Sequence, residues 1–268
     1  RWGHINRNYS LLTIAQSIGI DGHFIIEQGA RTWNGLYMNF NGTAGVWRRE
    51  AIIDAGGWHF DTLTEDLDLS YRAQLKGWST KFLFDVVAPS ELPVDINAYK
   101  SQQHRWAKGS IQTAKKLLPQ VFKTNDSLIR KAEAFIHLNQ YMVHPMMIIL
   151  ALLSFPLIVL LKEQISNMSV SLTMIIMMFL ISMGAFAPTF LYIVSQKKGY
   201  KDWLKRCLFI PALMVIGCGI AINNTKAVLE ALFNIKSDFI RTPKYGDQAG
   251  QKYTGKKLLI AIAGILYQ

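Results

Sequence analysis

The sequence predicts two parts: a mixed α/β segment over residues 1–133 and an α-helical membrane region over residues 134–268. Three observations carry this reading. Asp, Glu, Lys and Arg are absent between Glu133 and Lys162, and again between Glu163 and Lys197. Each gap reaches the about 20 apolar residues that a spanning helix needs. Upstream of Glu133, short apolar stretches are punctuated by Gly and Pro, as in a globular α/β segment. The charge is also unevenly placed: residues 1–140 are net +3 and residues 141–268 net +8, within a total of +11.

Only 18% of residues are charged and 50% are hydrophobic, so the chain is basic yet poor in charge. Soluble domains carry about 25% charged residues. Nucleic-acid binding needs its basic residues on a groove-facing surface beside polar or aromatic readers. Here they lie between apolar runs, so a nucleic-acid partner is excluded in favour of a bilayer.

Taken in order, Asn8 to Glu27 reads as a helix, with Leu11, Leu12, Ile14, Ala15 and Ile18 on its apolar face and Gly29 after it. Phe40 to Trp47 is a small, Gly-punctuated strand or loop where backbone can approach a ligand closely. Arg48 to Ala55 is a short helix stopped by Gly56 and Gly57. Thr62 and Glu65 have capping-box spacing for a helix running to Lys76 and ending at Gly77. Lys81 to Val87 reads as a strand closed by Pro89. Asp95 to Leu118 is a helix ended by Pro119, and the basic, amphipathic stretch to about Glu133 suits a membrane surface.

Spanning helices are expected over about residues 140–161 and 170–195. Lys197, Lys198, Lys201, Lys205 and Arg206 follow the second, which puts that end, and with it residues 1–133, in the cytoplasm. The run Cys207 to Thr225 is broken by Pro211, Gly217 and Gly219 and flanked by basic residues on both sides. An interfacial or re-entrant segment over about residues 204–232 is the preferred reading, with a plain third span as the alternative. Residues 258–268 read as the start of a further spanning helix. Cys207 and Cys218 read as reduced packing residues. The chain starts at Arg1 and stops within an apolar run, so it reads as a piece of a longer protein, inactive alone.

Two constellations carry chemistry. Thr64-Glu65-Asp66, with Asp68 close behind, crowds carboxylates at a helix start. That is ordinary acidic capping for Glu65 or Asp68 alone, and equally the placing of a general base. Gln102, Arg105 and Trp106 are spaced i, i+3, i+4 and share one helix face. Arg forks onto phosphate oxygens and Trp stacks on a sugar face. Taken alone, the set also reads as a core Trp with Arg snorkelling beside it. His59 and His104 lack metal-ligand spacing.

The order of motifs resembles the membrane-embedded family 2 glycosyltransferases, the cellulose-synthase-like group. The residues that carry it are FNGTAGVWRREAI at 40–52, AGGW at 55–58, TEDLDLSYRAQLKGW at 64–78, ELP at 91–93 and QQHRW at 102–106. The wording is most similar to the branch with glucomannan and xyloglucan-backbone synthases and their bacterial relatives. FIRTPK at 239–244 is similar to the family's gating-loop signature, with Arg241 in place of its Val.

The resemblance implies that residues 1–133 are the C-terminal half of a cytoplasmic GT-A-type domain, and residues 236–256 a gating loop. It casts Asp66 as the general base, with Thr64 and Glu65 in support. Gln102 and Arg105 take the donor diphosphate. Trp106, Phe40, Asn41, Gly42 and Thr43 take the acceptor. Phe239, Thr242, Pro243 and Lys244 belong to the gating loop. A divalent metal, Mg or Mn, is implied with ligands upstream of Arg1, and Asp21 and Asp61 do not replace them. The implied partners are a nucleotide-sugar of the UDP-glucose or GDP-mannose class, a glycan acceptor and the bilayer. The implied reaction is processive, inverting β-glycosyl transfer. The alternatives are a non-processive transferase acting on a lipid acceptor, and a non-catalytic transport or scaffold subunit.

Overall fold

The computed structural model describes residues 1–42, 44–167, 172–237, 239 and 242–243. They are mostly helical, with one two-stranded sheet among them. Strand β1 (Trp2–His4) pairs in parallel with β2 (Ala88–Ser90), in the register Trp2↔Ala88, Gly3↔Pro89, His4↔Ser90.

The expected strand at Lys81 to Val87 is not formed, and Pro89 sits inside β2 instead of closing a strand. Pro89 has no N–H to give, and a two-stranded edge tolerates that loss. Two of the apolar residues upstream make side-chain contacts, while Leu83, Val86 and Val87 are exposed: Phe82 stacks on Phe24 at 6.4 Å, and Phe84 lies under the Arg1 guanidinium at 5.5 Å.

Helix α1 (Leu11–Asp21) starts in a capping box. Ser10 Oγ accepts from the Thr13 N–H, while Thr13 Oγ1 accepts from the Ser10 N–H. The helix passes through a π-helical turn at Gly22–Gln28 into α2 (Gly29–Trp33). Gly29 keeps helical dihedrals and does not stop the chain, contrary to expectation. The break comes at Gly35, which has φ 62°.

Helix α3 (Arg49–Asp54) ends at Gly56 and Gly57, both with positive φ, and α4 (Glu65–Leu75) ends at Gly77 with φ 92°. The capping box expected from Thr62 is absent. Thr64 holds the N-cap without a side-chain capping bond, its hydroxyl lying 3.5 Å from that of Thr113, and Thr62 is buried with its hydroxyl unpaired among the described residues.

Helix α5 (Ile96–Lys123) is capped by Asp95, which accepts from the N–H groups of Asn97 and Ala98. It runs straight through Pro119, correcting the expected end there. One backbone bond is lost near the helix end. Burial of Leu117, Leu118 and Val121 against Ala134 and Leu138 of α6 (Leu128–Leu138) holds the turn.

Helices α7 (Val143–Asn167) and α8 (Leu172–Gly199) stand where the two charge gaps fall. Among the described residues no single helix is long and apolar enough to cross a membrane. Two bent pairs are, by length and composition: Leu128–Leu138 with Gln140–Ser154 at 56°, and Trp203–Gly219 with Ala221–Leu232 at 45°.

The segment expected to be re-entrant forms α9 (Trp203–Cys207), α10 (Ile210–Gly219) and α11 (Ala221–Leu232). Ile216 and Ile220 close over Leu12, Ala15 and Tyr99, and Val228 and Ala231 of α11 pack on Ile111 of α5. Neither cysteine is a core packing residue: Cys207 is half-buried and Cys218 exposed. The final helix expected at 258–268 and most of the gating segment lie outside the described residues.

Candidate active site

The site is built where α4 meets an extended segment. Along one face of α4, Gln74, Ser70 and Asp66 take the backbone N–H groups of Met38, Phe40 and Gly42 at 3.0, 2.8 and 2.7 Å. Four helical residues rise about 6.0 Å and two extended residues about 6.6 Å, so the two repeats run nearly in phase. The helix face thus stands in for a neighbouring strand. Gln74 also donates to the Met38 carbonyl at 2.6 Å, and Ser70 to the Asp66 carbonyl at 2.6 Å. Gly42 has φ 61°, the left-handed region that favours glycine, and this aims its N–H at Asp66.

Asp66 therefore has both oxygens occupied: Oδ2 accepts from Gly42 and Oδ1 from the Leu67 N–H at 2.8 Å. Burial pushes its pKa above the ordinary carboxylate value, against the pull of those two N–H groups. A partly buried carboxylate so tuned is suited to general-base work.

Asp68, two residues on, points the other way. It is fully buried and paired with Arg72 at 2.7 Å and Lys116 at 2.8 Å. Arg72 goes on to bind the carbonyls of Ala55 and Gly57, so Asp68 anchors the α3–α4 turn.

The family's implied metal was tested on the one His–Asp–Asp group among the described residues, His59, Asp61 and Asp68. They do not fit a cation. The Lys116 ammonium already sits among them, at 3.0 Å from His59 Nδ1 and 2.8 Å from each of Asp61 and Asp68. Asp21 is equally engaged, by His4, Tyr200 and Gln196 at 3.0 to 3.2 Å.

Helix α5 brings the second constellation to the first. A Cβ on Gly109 would lie 2.6 Å from both Thr64 Cγ2 and Thr64 Oγ1, and 2.8 Å from the Thr64 backbone nitrogen. Only glycine lets α5 cross so close to the start of α4. The Leu63 N–H then reaches Gln112 at 2.9 Å.

Arg105 lies over the Phe239 ring at 4.7 Å. Burial weakens its protonation while the Glu65 and Asp66 carboxylates support it. Gln102 is half-buried with Oε1 unpaired among the described residues.

Trp106 and Asp66 line one cleft of about 370 Å³, together with Thr64 and Asn41. Phe40 does not line it: its ring packs on Trp47 at 5.3 Å and fixes the loop. Asn41 is held by Gln28 at 2.6 Å and by His23 at 3.4 Å. Thr242 has a buried hydroxyl and Pro243 is exposed. Thr43 and Lys244 lie outside the described residues.

Sequence reasoning missed much of the cleft wall, including Trp2, Gln16, His23, Glu27 and Tyr99. The usable signal was the pair His23 and Glu27 at i, i+4 in an otherwise apolar helix. Among the described residues no Lys or Arg lines the cleft, while Asp66 and Glu27 both do.

The sequence is similar to the probable glucomannan 4-beta-mannosyltransferase 10 of Arabidopsis thaliana, 38% identical over 54% of this chain and 27% of the relative. A probable glucomannan 4-beta-mannosyltransferase 11 of Oryza sativa subsp. japonica is 46% identical over 46% of this chain and 22% of the relative. The glucomannan 4-beta-mannosyltransferase 1 of the same organism is 41% identical over 49% and 25%. The chain thus spans about a quarter of the length of these relatives. No solved structure matches it. The profile of glycosyl transferase family group 2 matches residues 7–194, which hold Asp66, Arg105 and Trp106 in their ordered motifs, and the chain belongs to that family.

Proposed function

We propose that this chain is the acceptor-side part of a processive, inverting β-glycosyltransferase that extends a polysaccharide at the cytoplasmic face of a membrane. The observation that carries the reading is the convergence of Asp66 and Trp106 on one cleft that no Lys or Arg enters among the described residues. Such a cleft suits a neutral sugar, and it separates the acceptor from the phosphate-binding Arg105.

In this mechanism the acceptor sugar stacks on Trp106 and Asp66 takes its hydroxyl proton. The oxygen attacks the anomeric carbon as the bond to the diphosphate breaks, which inverts the configuration. Arg105, with Gln102, offsets charge on the departing diphosphate, commonly the largest single contribution to such catalysis. Phe239, Thr242, Pro243 and Lys244 close over the donor, and Thr43 completes the acceptor loop. The metal implied by the family is not assigned to His59, Asp61 and Asp68, and no step runs through it.

The names of the relatives favour a mannosyl donor. The bilayer reading rests on the two charge gaps and on exposed apolar side chains along α7 and α8, such as Leu150, Leu152, Phe186 and Phe190. The segment over residues 204–232 then lies in the interface.

The test is the full-length protein in membranes, supplied in parallel with GDP-mannose and UDP-glucose. Asp66→Asn is expected to abolish transfer with insertion unchanged, and long polymer on a gel marks processivity. Full transfer by Asp66→Asn would sink the base assignment, and loss of Arg105 without any effect on donor use would favour a scaffold.

A further inference from the structure

Part of the cleft wall comes from the π-helical turn Gly22–Gln28, a rare conformation that recurs at functional sites. It presents His23 and Glu27 to the cleft. Glu27 Oε2 takes both His23 Nδ1 at 2.9 Å and Arg31 at 3.3 Å, while Oε1 takes no hydrogen bond among the described residues. Burial alone would push Glu27 up, but the His23 hydrogen bond and the Arg31 charge outweigh it and hold the carboxyl down at about 2.

A second, independent observation concerns the amides beside it. Gln16 is almost fully buried, and its Nε2 donates to the Pro93 carbonyl at 2.9 Å, leaving Oε1 unpaired among the described residues. Asn39 Oδ1 is likewise buried and unpaired. Both residues line the cleft. Buried acceptors without donors are costly unless a ligand supplies the protons. Three acceptors, two of them amide oxygens and one a fixed anion, match a ligand rich in hydroxyl donors and disfavour a phosphate.

We propose that Glu27, positioned by His23, reads the acceptor glycan: its free Oε1 accepts a hydroxyl of the sugar stacked on Trp106, with Gln16 and Asn39 accepting others. His23 acts through Glu27 and Asn41, so it is a positioning residue. This assignment rests on the transferase reading.

The experiment uses the full-length protein in membranes, with β-1,4-linked mannotetraose and cellotetraose as acceptor probes. Losing a hydrogen bond to a charged group corresponds to about a tenfold or larger rise in KM for the acceptor. Glu27→Gln is expected to produce that rise with the donor KM unchanged. Glu27→Asp keeps the charge but withdraws it, and is expected to change the preference between the two probes. An unchanged acceptor KM and preference in both variants overturns the assignment, as does a donor KM that rises in parallel. Asp66→Asn and the unaltered protein, assayed beside them, separate the readings. If Asp66→Asn still transfers sugar, the base assignment fails while the transferase reading stands; if the unaltered protein transfers no sugar from either donor, the transferase reading fails; and if the unaltered protein is active while both Glu27 variants keep the acceptor KM and preference, only the Glu27 assignment falls.

Discussion

Replacing Gly109 by Ala tests the whole construction of the site, because this glycine alone sets how close α5 comes to α4. The added Cβ would meet Thr64 Cγ2 and Oγ1 at 2.6 Å, about 0.8 Å short of ordinary contact at 3.4 Å. Rotating the Thr64 side chain relieves two contacts but not the third, since the backbone nitrogen at 2.8 Å cannot move without moving the start of α4. Overpacking of this kind costs about 1–3 kcal/mol. Against that, Ala in a helix interior is favoured over Gly by about 1 kcal/mol. The net loss of stability is therefore small, about 0–2 kcal/mol, while Asp66 and Trp106 are driven apart by about 0.8 Å. A misplacement near 1 Å can cost on the order of 10²-fold in rate. Activity should fall far more than stability. The assay is sugar incorporation into polymer by membranes carrying the full-length protein, beside a thermal unfolding midpoint. Thr64→Ala combined with Gly109→Ala should recover part of the rate, because it removes the two side-chain contacts. Wild-type turnover in Gly109→Ala would refute the reasoning that the crossing distance fixes the site.

Arg105→Ala should lower kcat by about 10²-fold or more and leave the acceptor KM alone, since Arg105 does not line the cleft; steady-state kinetics with varied donor and acceptor check this. Asp66 must be ionised to accept a proton, and burial raises its pKa. Activity should therefore fall away on acidification at a pH above the ordinary carboxylate value of about 3.9, and the acid limb should vanish with the residual rate of Asp66→Asn. Glu230→Ala leaves the fully buried Lys108, now 2.9 Å from that carboxylate, with only Ser237 among the described residues; a loss of about 3–5 kcal/mol is expected in chemical unfolding.

What the sequence made legible was local. Helix α4 could be placed because its acidic start and Gly77 stop are chain-adjacent signals, and the two constellations because each sits within one turn or two. What stayed hidden depended on partners far along the chain. Lys81 to Val87 has the composition of a strand, yet the residues that pair with Trp2–His4 are Ala88–Ser90, while Phe82 and Phe84 make ring contacts instead. Pro119 looked like a stop, but burial against Ala134 and Leu138 outweighs one missing hydrogen bond. The π turn left no trace in composition, so Glu27 looked like any helix carboxylate. Asp66 and Asp68 show the limit most clearly. Residues two apart on a helix do not share a face, so one enters the cleft while the other is locked between Arg72 and Lys116.

The position of Asp66 follows from a mismatch between two repeats. Each step of the α4 zipper lags the extended segment by about 0.6 Å, so after two steps the lag is about 1.2 Å and a fourth contact would be badly strained. The segment must therefore leave the helix near Gly42, and it does so through a left-handed turn. Asp66 is the last contact before that departure. Both of its carboxylate oxygens take backbone N–H groups, and the residue lines the cleft. Gln74 and Ser70, at the earlier steps, are buried and serve only to hold register. Meanwhile α5, drawn in at Gly109, sends Lys108 to Glu230 and Lys115 to the last carbonyls of α11. The helix that carries Arg105 and Trp106 is thus fastened at once to the start of α4 and to the apolar helices beyond it. A shift of α11 would therefore be carried through α5 to the start of α4, where Asp66 stands.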